Sequence, residues 1–283
     1  MVVGGIYSLV ALSFAIIYKT IRFFHFAHGS VIVAGAYIAY SLSCFVGIPL
    51  LLSIVVSSLI TTVLGIVIYK TTYSYLRVIG SSNLILAITS FGIFIFIQNL
   101  FQILYGAQIL SLKTGPVSEG HLIMGGTITN VQISIIVISC LLLVLIRSVV
   151  VETRIGKAIR AVADDPLGAS ISGINPERII IYSFGIGSAL AGLSGGLISL
   201  ESSIEPTMGL NLILKGIIAS IIGGLGSIPG AVLGGFFLGI VENLGIWKIQ
   251  AGWKDTISFA VLIAFLLFRP EGILGKRTDR ENL

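Results

Sequence analysis

Lys215 and Glu242 are ionisable side chains set deep in apolar segments, where a charge is costly unless it is partnered. Lys215 precedes Ser227, the centre of a Gly/Pro turn, by 12 residues, and Glu242 follows it by 15. In a helical hairpin these offsets are about 18 and 22 Å from the turn, at 1.5 Å per residue. The two charges then have similar depths and pair across the hairpin, or each reaches toward the outer interface, or they meet a solute; a structural pair is the preferred expectation. His25 and His28, in Phe23-Phe24-His25-Phe26-Ala27-His28-Gly29, admit a proton relay or, at a helix start, a turn and cap; physical reasoning favours the cap. Arg154, Lys157 and Arg160 recur every three residues, with Ile155, Ile159 and Val162 on another face. That spacing predicts a short amphipathic helix stopped near Pro166. It rests on anionic headgroups or docks into a cytoplasmic partner, and Ile155, Ile159 and Ala163 beside three cations suit a groove with an acidic rim.

Other chemistry is missing from the sequence. The nearest approach to a phosphate loop, Gly272-Ile273-Leu274-Gly275-Lys276-Arg277-Thr278, has the wrong spacing. No Gly-x-Ser-x-Gly elbow, His-Glu-x-x-His or carboxylate pair within a helix turn occurs. The expectation is a protein that is not an enzyme, with no cofactor and no metal. His121, alone in a polar loop, reads as solvated, and Cys44 and Cys140, inside apolar segments, as buried inert hydrophobes.

The elements that carry these residues are membrane spans. Of 283 residues 55% are hydrophobic and 10% charged, against roughly 25% charged in soluble domains. The mean hydropathy is +1.06. Apolar blocks at about 2–18, 28–46, 48–69, 83–104, 131–151, 178–200, 211–224, 230–246 and 254–268 lack period-two alternation, which excludes a barrel. The predicted fold is all-α: a polytopic transmembrane bundle of about eight or nine spans, one domain over 1–283, with a short or re-entrant hairpin at 211–246. Alternate threading puts the N-terminus outside and the C-terminus inside. Lys19, Arg22, Lys70, Arg77, Arg147, Arg154, Lys157, Arg160, Arg178, Arg269, Lys276, Arg277 and Arg280 then lie inside, against Lys113, Lys215, Lys248 and Lys254 on or toward the outer side. This 13-to-4 division of the 17 basic residues follows the positive-inside rule and accounts for the formal charge of +5 without nucleic acid. The first block has no basic residue before it and no cleavage site after it, so it reads as a retained helix. At about 25 Å it is short for a span, which leaves room for a further N-terminal stretch. Gly187, Ala191 and Gly195, beside Ser188, Gly192 and Gly196, form small-x-x-x-small stripes for close helix packing, repeated by Gly230, Gly234, Ala231, Gly235 and Gly239.

Several blocks in order carry a family resemblance. They are Phe26-Ala27-His28-Gly29 with Gly35-Ala36-Tyr37; Gly156-Lys157-Ala158-Ile159-Arg160-Ala161-Val162-Ala163-Asp164; Gly173-Ile174-Asn175; and Ser188-Ala189-Leu190-Ala191-Gly192-Leu193-Ser194-Gly195. Gly223-Gly224-Leu225-Gly226-Ser227-Ile228-Pro229-Gly230 and Phe268-Arg269-Pro270-Glu271-Gly272 complete the set. Over nearly the whole chain the sequence resembles branched-chain amino acid ABC transporter permeases of the LivH type. The resemblance implies a pore subunit in the inner membrane of a bacterial or archaeal cell. It also implies a second, LivM-like permease subunit, two cytoplasmic ATPase subunits, an extracytoplasmic solute-binding protein, and a coupling segment at 152–177. Leu167, Gly168, Ala169 and Gly173 stand where the family has Glu-Ala-Ala-x-x-x-Gly, and His25 stands where it has Asn. Two alternatives remain open. One is a permease of the same kind for urea or short amides; the other is an ion-coupled carrier, for which Glu242 alone is a deep carboxylate.

Overall fold

The computed structural model describes residues 2–112, 120–123, 126–248 and 250–275. Lys113, Lys276, Arg277 and Arg280 therefore lie outside the described residues. The chain forms α1 (Val2–Ile21), α2 (Ala27–Cys44) and α3 (Leu50–Ile68), which runs through a π turn, Tyr69–Tyr73, into α4 (Ser74–Val78). Next come α5 (Asn83–Tyr105), an antiparallel pair of β1 (His121–Ile123) and β2 (Gly126–Ile128), and α6 (Asn130–Glu152). Two short helices follow, α7 (Arg154–Asp164) and α8 (Pro166–Ile171), then α9 (Pro176–Glu201), α10 (Met208–Gly223), α11 (Ile228–Lys248) and α12 (Lys254–Phe268). Among the described residues seven helices are long and apolar enough to cross a membrane. α10 and α12, with 16 and 15 residues, complete the polytopic bundle as shorter members.

Contacts between connections sort them to two ends. At one end the Arg22 guanidinium donates to the Ala163 carbonyl (2.6 Å), Tyr69 and Ser74 donate to the Glu177 carboxylate (2.8 and 2.7 Å), and the Ile273 N–H donates to the Ile222 carbonyl (2.8 Å). At the other end Ser41 bonds Tyr105, Gln132 donates to Glu201 (2.9 Å) and Leu110 bridges Ile204. The spans thus alternate in direction, α1, α2, α3 with α4, α5, α6, α9, α10, α11 and α12 in turn.

α9 is the axis of the bundle, packed by α1, α2 and α3. Its small-residue stripes are what let three neighbours approach. A Cβ on Gly195 would strike the Ile32 carbonyl of α2, one on Gly192 the Thr61 hydroxyl of α3, and one on Gly187 the Ile17 side chain of α1. Gly235 and Gly239 of α11 lie against the backbone of Ser8 and Gly4 in the same way. Without a hydrophobic drive between helices in lipid, contact dispersion of this kind holds the bundle. α1, α2 and α9 are mostly buried; α5 and α6 bury one narrow face and expose the rest. Cys44 and Cys140 lie on exposed surface, contrary to the burial expected of them. In a bundle solvated by lipid an apolar residue gains little by turning inward, so apolar character does not report burial.

Candidate functional site

The two deep charges come together. Lys215 of α10 makes an ion pair with Glu242 of α11 and a second, at 2.9 Å, with Asp255 of α12, and it donates to Ser258 of α12 at 2.6 Å. Ser258 also bonds Glu242, and the Tyr7 hydroxyl of α1 donates to the other carboxylate oxygen at 2.9 Å. Glu242 is fully buried and Lys215 nearly so. Four helices are tied by one polar cluster whose charges are all partnered, the condition under which buried charge is tolerated. Glu242, the carboxylate that an ion-coupled carrier would use, has both oxygens occupied. Sequence reasoning missed Tyr7, Asp255 and Ser258; the only signal was the i, i+3 spacing of Asp255 and Ser258 at the start of an apolar helix.

His28 does not cap α2. Its Nε2 lies 2.7 Å from Ser13 Oγ of α1, and the start of α2 has no side-chain cap of its own. Ser90 of α5 instead accepts the Ala27 N–H (2.9 Å), so the cap comes from another helix. His25 Nδ1 lies 3.1 Å from the Tyr73 hydroxyl, within hydrogen-bond reach, and its ring packs on Phe23, Tyr73 and Phe184. Burial first, and the neighbouring His28 second, push the His25 imidazole well below its ordinary pKa, which keeps it neutral. Gly29 marks the crossing of α2 and α10: a Cβ there would lie 2.5 Å from the Gly209 carbonyl oxygen.

The Gly/Pro block makes the turn between α10 and α11. Gly223 and Gly230 touch backbone to backbone, and a Cβ on either would overlap the other's carbonyl. Gly224 and Gly226 have φ of +106° and +80°, a region open to glycine at little cost. Ser227 accepts the Gly230 N–H at 3.2 Å, and Pro229 occupies the first turn of α11, where an N–H is not needed. The segment after α12 folds back on this turn. Ile273 and Leu274 N–H groups bond the Ile222 and Gly223 carbonyls at 2.8 and 2.9 Å, capping α10.

The shelf at 152–177 is two helices. Thr153 caps α7 through the Gly156 N–H (3.1 Å). Pro166 does not merely end α7: with Asp165 as cap on the Leu167 N–H (2.9 Å), it opens α8. Ile159, expected on the partner-facing side, is fully buried against Val162, Ala169 and Ile179, and Ala163 is buried too. The inward stripe of α7 runs through positions 156, 159, 162 and 163, so the helix lays its apolar face on α9 of its own chain. Arg160 bonds the Val150 and Val151 carbonyls at the end of α6, where a cation meets the negative helix pole. The surface left open comprises Arg154, Ile155 and Lys157 with Leu167 and Ile171, the last two 77% and 89% exposed.

Residues 1–266 match the family of branched-chain amino acid transport system permease components. The chain belongs to this family. It is a multi-pass permease component of an ABC transport system and not itself the ATPase. The permease is 35% identical over 289 residues to the high-affinity branched-chain amino acid transport system permease protein BraD of Pseudomonas aeruginosa, covering 98% of this chain and 94% of the relative. It is 32% identical to the LivH permease of the corresponding system in Escherichia coli, covering 96% and 92%. The probable branched-chain amino acid transport permease protein LivH of Methanocaldococcus jannaschii is 28% identical, covering 97% and 90%. No solved structure matches the chain.

Proposed function

We propose that the permease forms one half of the path by which branched-chain amino acids enter the cell, paired with a second permease subunit. It is driven by two cytoplasmic ATPase subunits and fed by an extracytoplasmic solute-binding protein. Its N-terminus lies outside and its C-terminus in the cytoplasm. The solute follows the names of the full-length relatives. The observation that supports coupling is the open face of the shelf. Leu167 and Ile171, one turn apart on α8, stand nearly bare beside Arg154 and Lys157, on a platform whose inner face is packed on the central helix α9. An apolar knob with a basic rim suits an acidic-edged groove, where charge guides docking and apolar burial holds it. A push on α8 then reaches α9 through Ala169 and Ile179.

In the reconstituted importer Ile171→Asp is expected to abolish solute-stimulated ATP hydrolysis and uptake, because a truncated anchor at the centre of an interface costs about 2 kcal/mol or more. The permease stays folded and inserted, since Ile171 is almost wholly exposed. Hydrolysis and uptake that both survive this change would assign the face to lipid and overturn the coupling role. Ile159→Asp, by contrast, is expected to unfold the shelf itself. Orientation is tested by Ser172→Cys in a Cys44→Ser, Cys140→Ser background: labelling by an impermeant maleimide only from the cytoplasm is expected.

A further inference from the structure

A cleft of 1130 Å³ opens between α1, α6, α7 and the α10–α11 turn. That volume exceeds the roughly 300–1,000 Å³ of ordinary small-molecule sites. Its floor at the bundle end carries Lys19, Arg22, Arg147 and Arg160 against a single acid, Asp164. Its walls toward the bilayer midplane are Leu12, Leu143, Val144, Val232 and Leu233. Leu12 precedes Lys19 by seven residues of helix, so the apolar wall runs about 10 Å beyond the basic floor. Arg22 and Arg160 are held in place by the Ala163 and by the Val150 and Val151 carbonyls, while Arg147 is exposed.

From this geometry we infer that the cleft is a binding site for an anionic phospholipid of the inner leaflet, its phosphate on the basic floor and its acyl chains along the apolar wall. The inference rests on the orientation proposed above, which puts the basic end in the cytoplasmic headgroup region. Charge complementarity selects the sign of the ligand. The apolar wall selects a lipid over a free anion, which would use the floor alone. Basic pockets between spans at the cytoplasmic surface recognise acidic headgroups by the same balance. The occupant would touch α7 through Arg160 and Asp164 and the start of α11 through Pro229, joining two connections at this end of the bundle.

The test uses the assembled importer in dodecyl maltoside, offered phosphatidylglycerol or phosphatidylcholine, with retained lipid counted by native mass spectrometry. Phosphatidylglycerol is expected to be retained in preference, and Arg147→Gln to lower its retention about fivefold, the factor for roughly one basic residue's attraction. Arg147→Lys is expected to keep it, and inorganic phosphate not to displace it. Arg147 lies outside the packed core, so its variants fold; Lys19→Gln supplies a second reading of the same kind. Wild-type retention in both Gln variants, equal retention of phosphatidylcholine, or displacement by phosphate alone would overturn the assignment. So would lipid that binds the isolated chain but is excluded from the complex, which gives the cleft to a partner subunit. Lipid counting in detergent is blind to orientation, so its failure and a failed maleimide test are separate results.

Discussion

Replacing Lys215 with Met removes the cation at the centre of the four-helix cluster and leaves Glu242, with no exposed surface, held by the hydroxyls of Ser258 and Tyr7 alone. Stranding one member of a buried pair costs about 3–5 kcal/mol. Replacing Glu242 with Gln is milder. Lys215 keeps Asp255 at 2.9 Å, whose side chain is 58% exposed, and it keeps Ser258 at 2.6 Å. The loss is then nearer that of one charged hydrogen bond, about 1.5–3 kcal/mol. If the two residues act as a pair, the double variant costs about as much as Lys215→Met alone, a coupling of about 1.5–3 kcal/mol. Unfolding in mixed dodecyl maltoside and dodecyl sulfate micelles, followed by the fluorescence of Trp247, five residues past Glu242, and Trp253, two before Asp255, measures all three variants. Additivity within about 0.5 kcal/mol would refute the pairing. A larger loss for Glu242→Gln than for Lys215→Met would refute the compensating role given to Asp255.

Four further outcomes follow, three of them from the backbone. Gly223→Ala is expected to stop the hairpin closing, seen as loss of a monodisperse peak on gel filtration. Gly226→Ala, where a Cβ meets nothing within 4 Å, costs only the left-handed strain of about 1–2 kcal/mol. Arg22 has φ of +56° and donates to Ala163, so Arg22→Ala loses the bond and keeps the strain while Arg22→Gly loses both. The glycine variant should unfold at the higher temperature, by about 1 kcal/mol of stability. Ser13→Ala leaves His28 Nε2 buried without its hydroxyl partner and is expected to cost about 1–3 kcal/mol in thermal unfolding.

The spans were legible because lipid demands long apolar helices, and the ends drawn from the sequence fall within a few residues of those observed for most of them. The exception is the third span, which continues through a π turn to Val78 because Tyr69 and Tyr73 bury their rings and bond Glu177 and His25; no local pattern encodes that. Matched depth alone brought Lys215 to Glu242, whereas Tyr7 joined them from the far end of the chain with no periodicity to mark it. On α7 the charges at 154, 157 and 160 were read as one face. The structure divides them, because Arg160 finds the bare carbonyls of α6 and the apolar stripe finds α9, both tertiary facts. The short β1–β2 pair was missed since three-residue strands carry too little alternation to stand out.

The return of the chain end to the α10–α11 turn fixes an order of assembly. Until Ile273 and Leu274 have been synthesised, the last carbonyls of α10 have no amide to receive, and Gly224 has no neighbour at its open face. The hairpin therefore enters the membrane incomplete and is closed only once α12 and the segment that follows it have been made. Since the same turn forms one wall of the cationic cleft, that surface matures only after α12 and the segment behind it have been added. A chain stopped before Ile273 would present an unfinished turn at this end of the bundle, which gives quality control a local feature by which to recognise it.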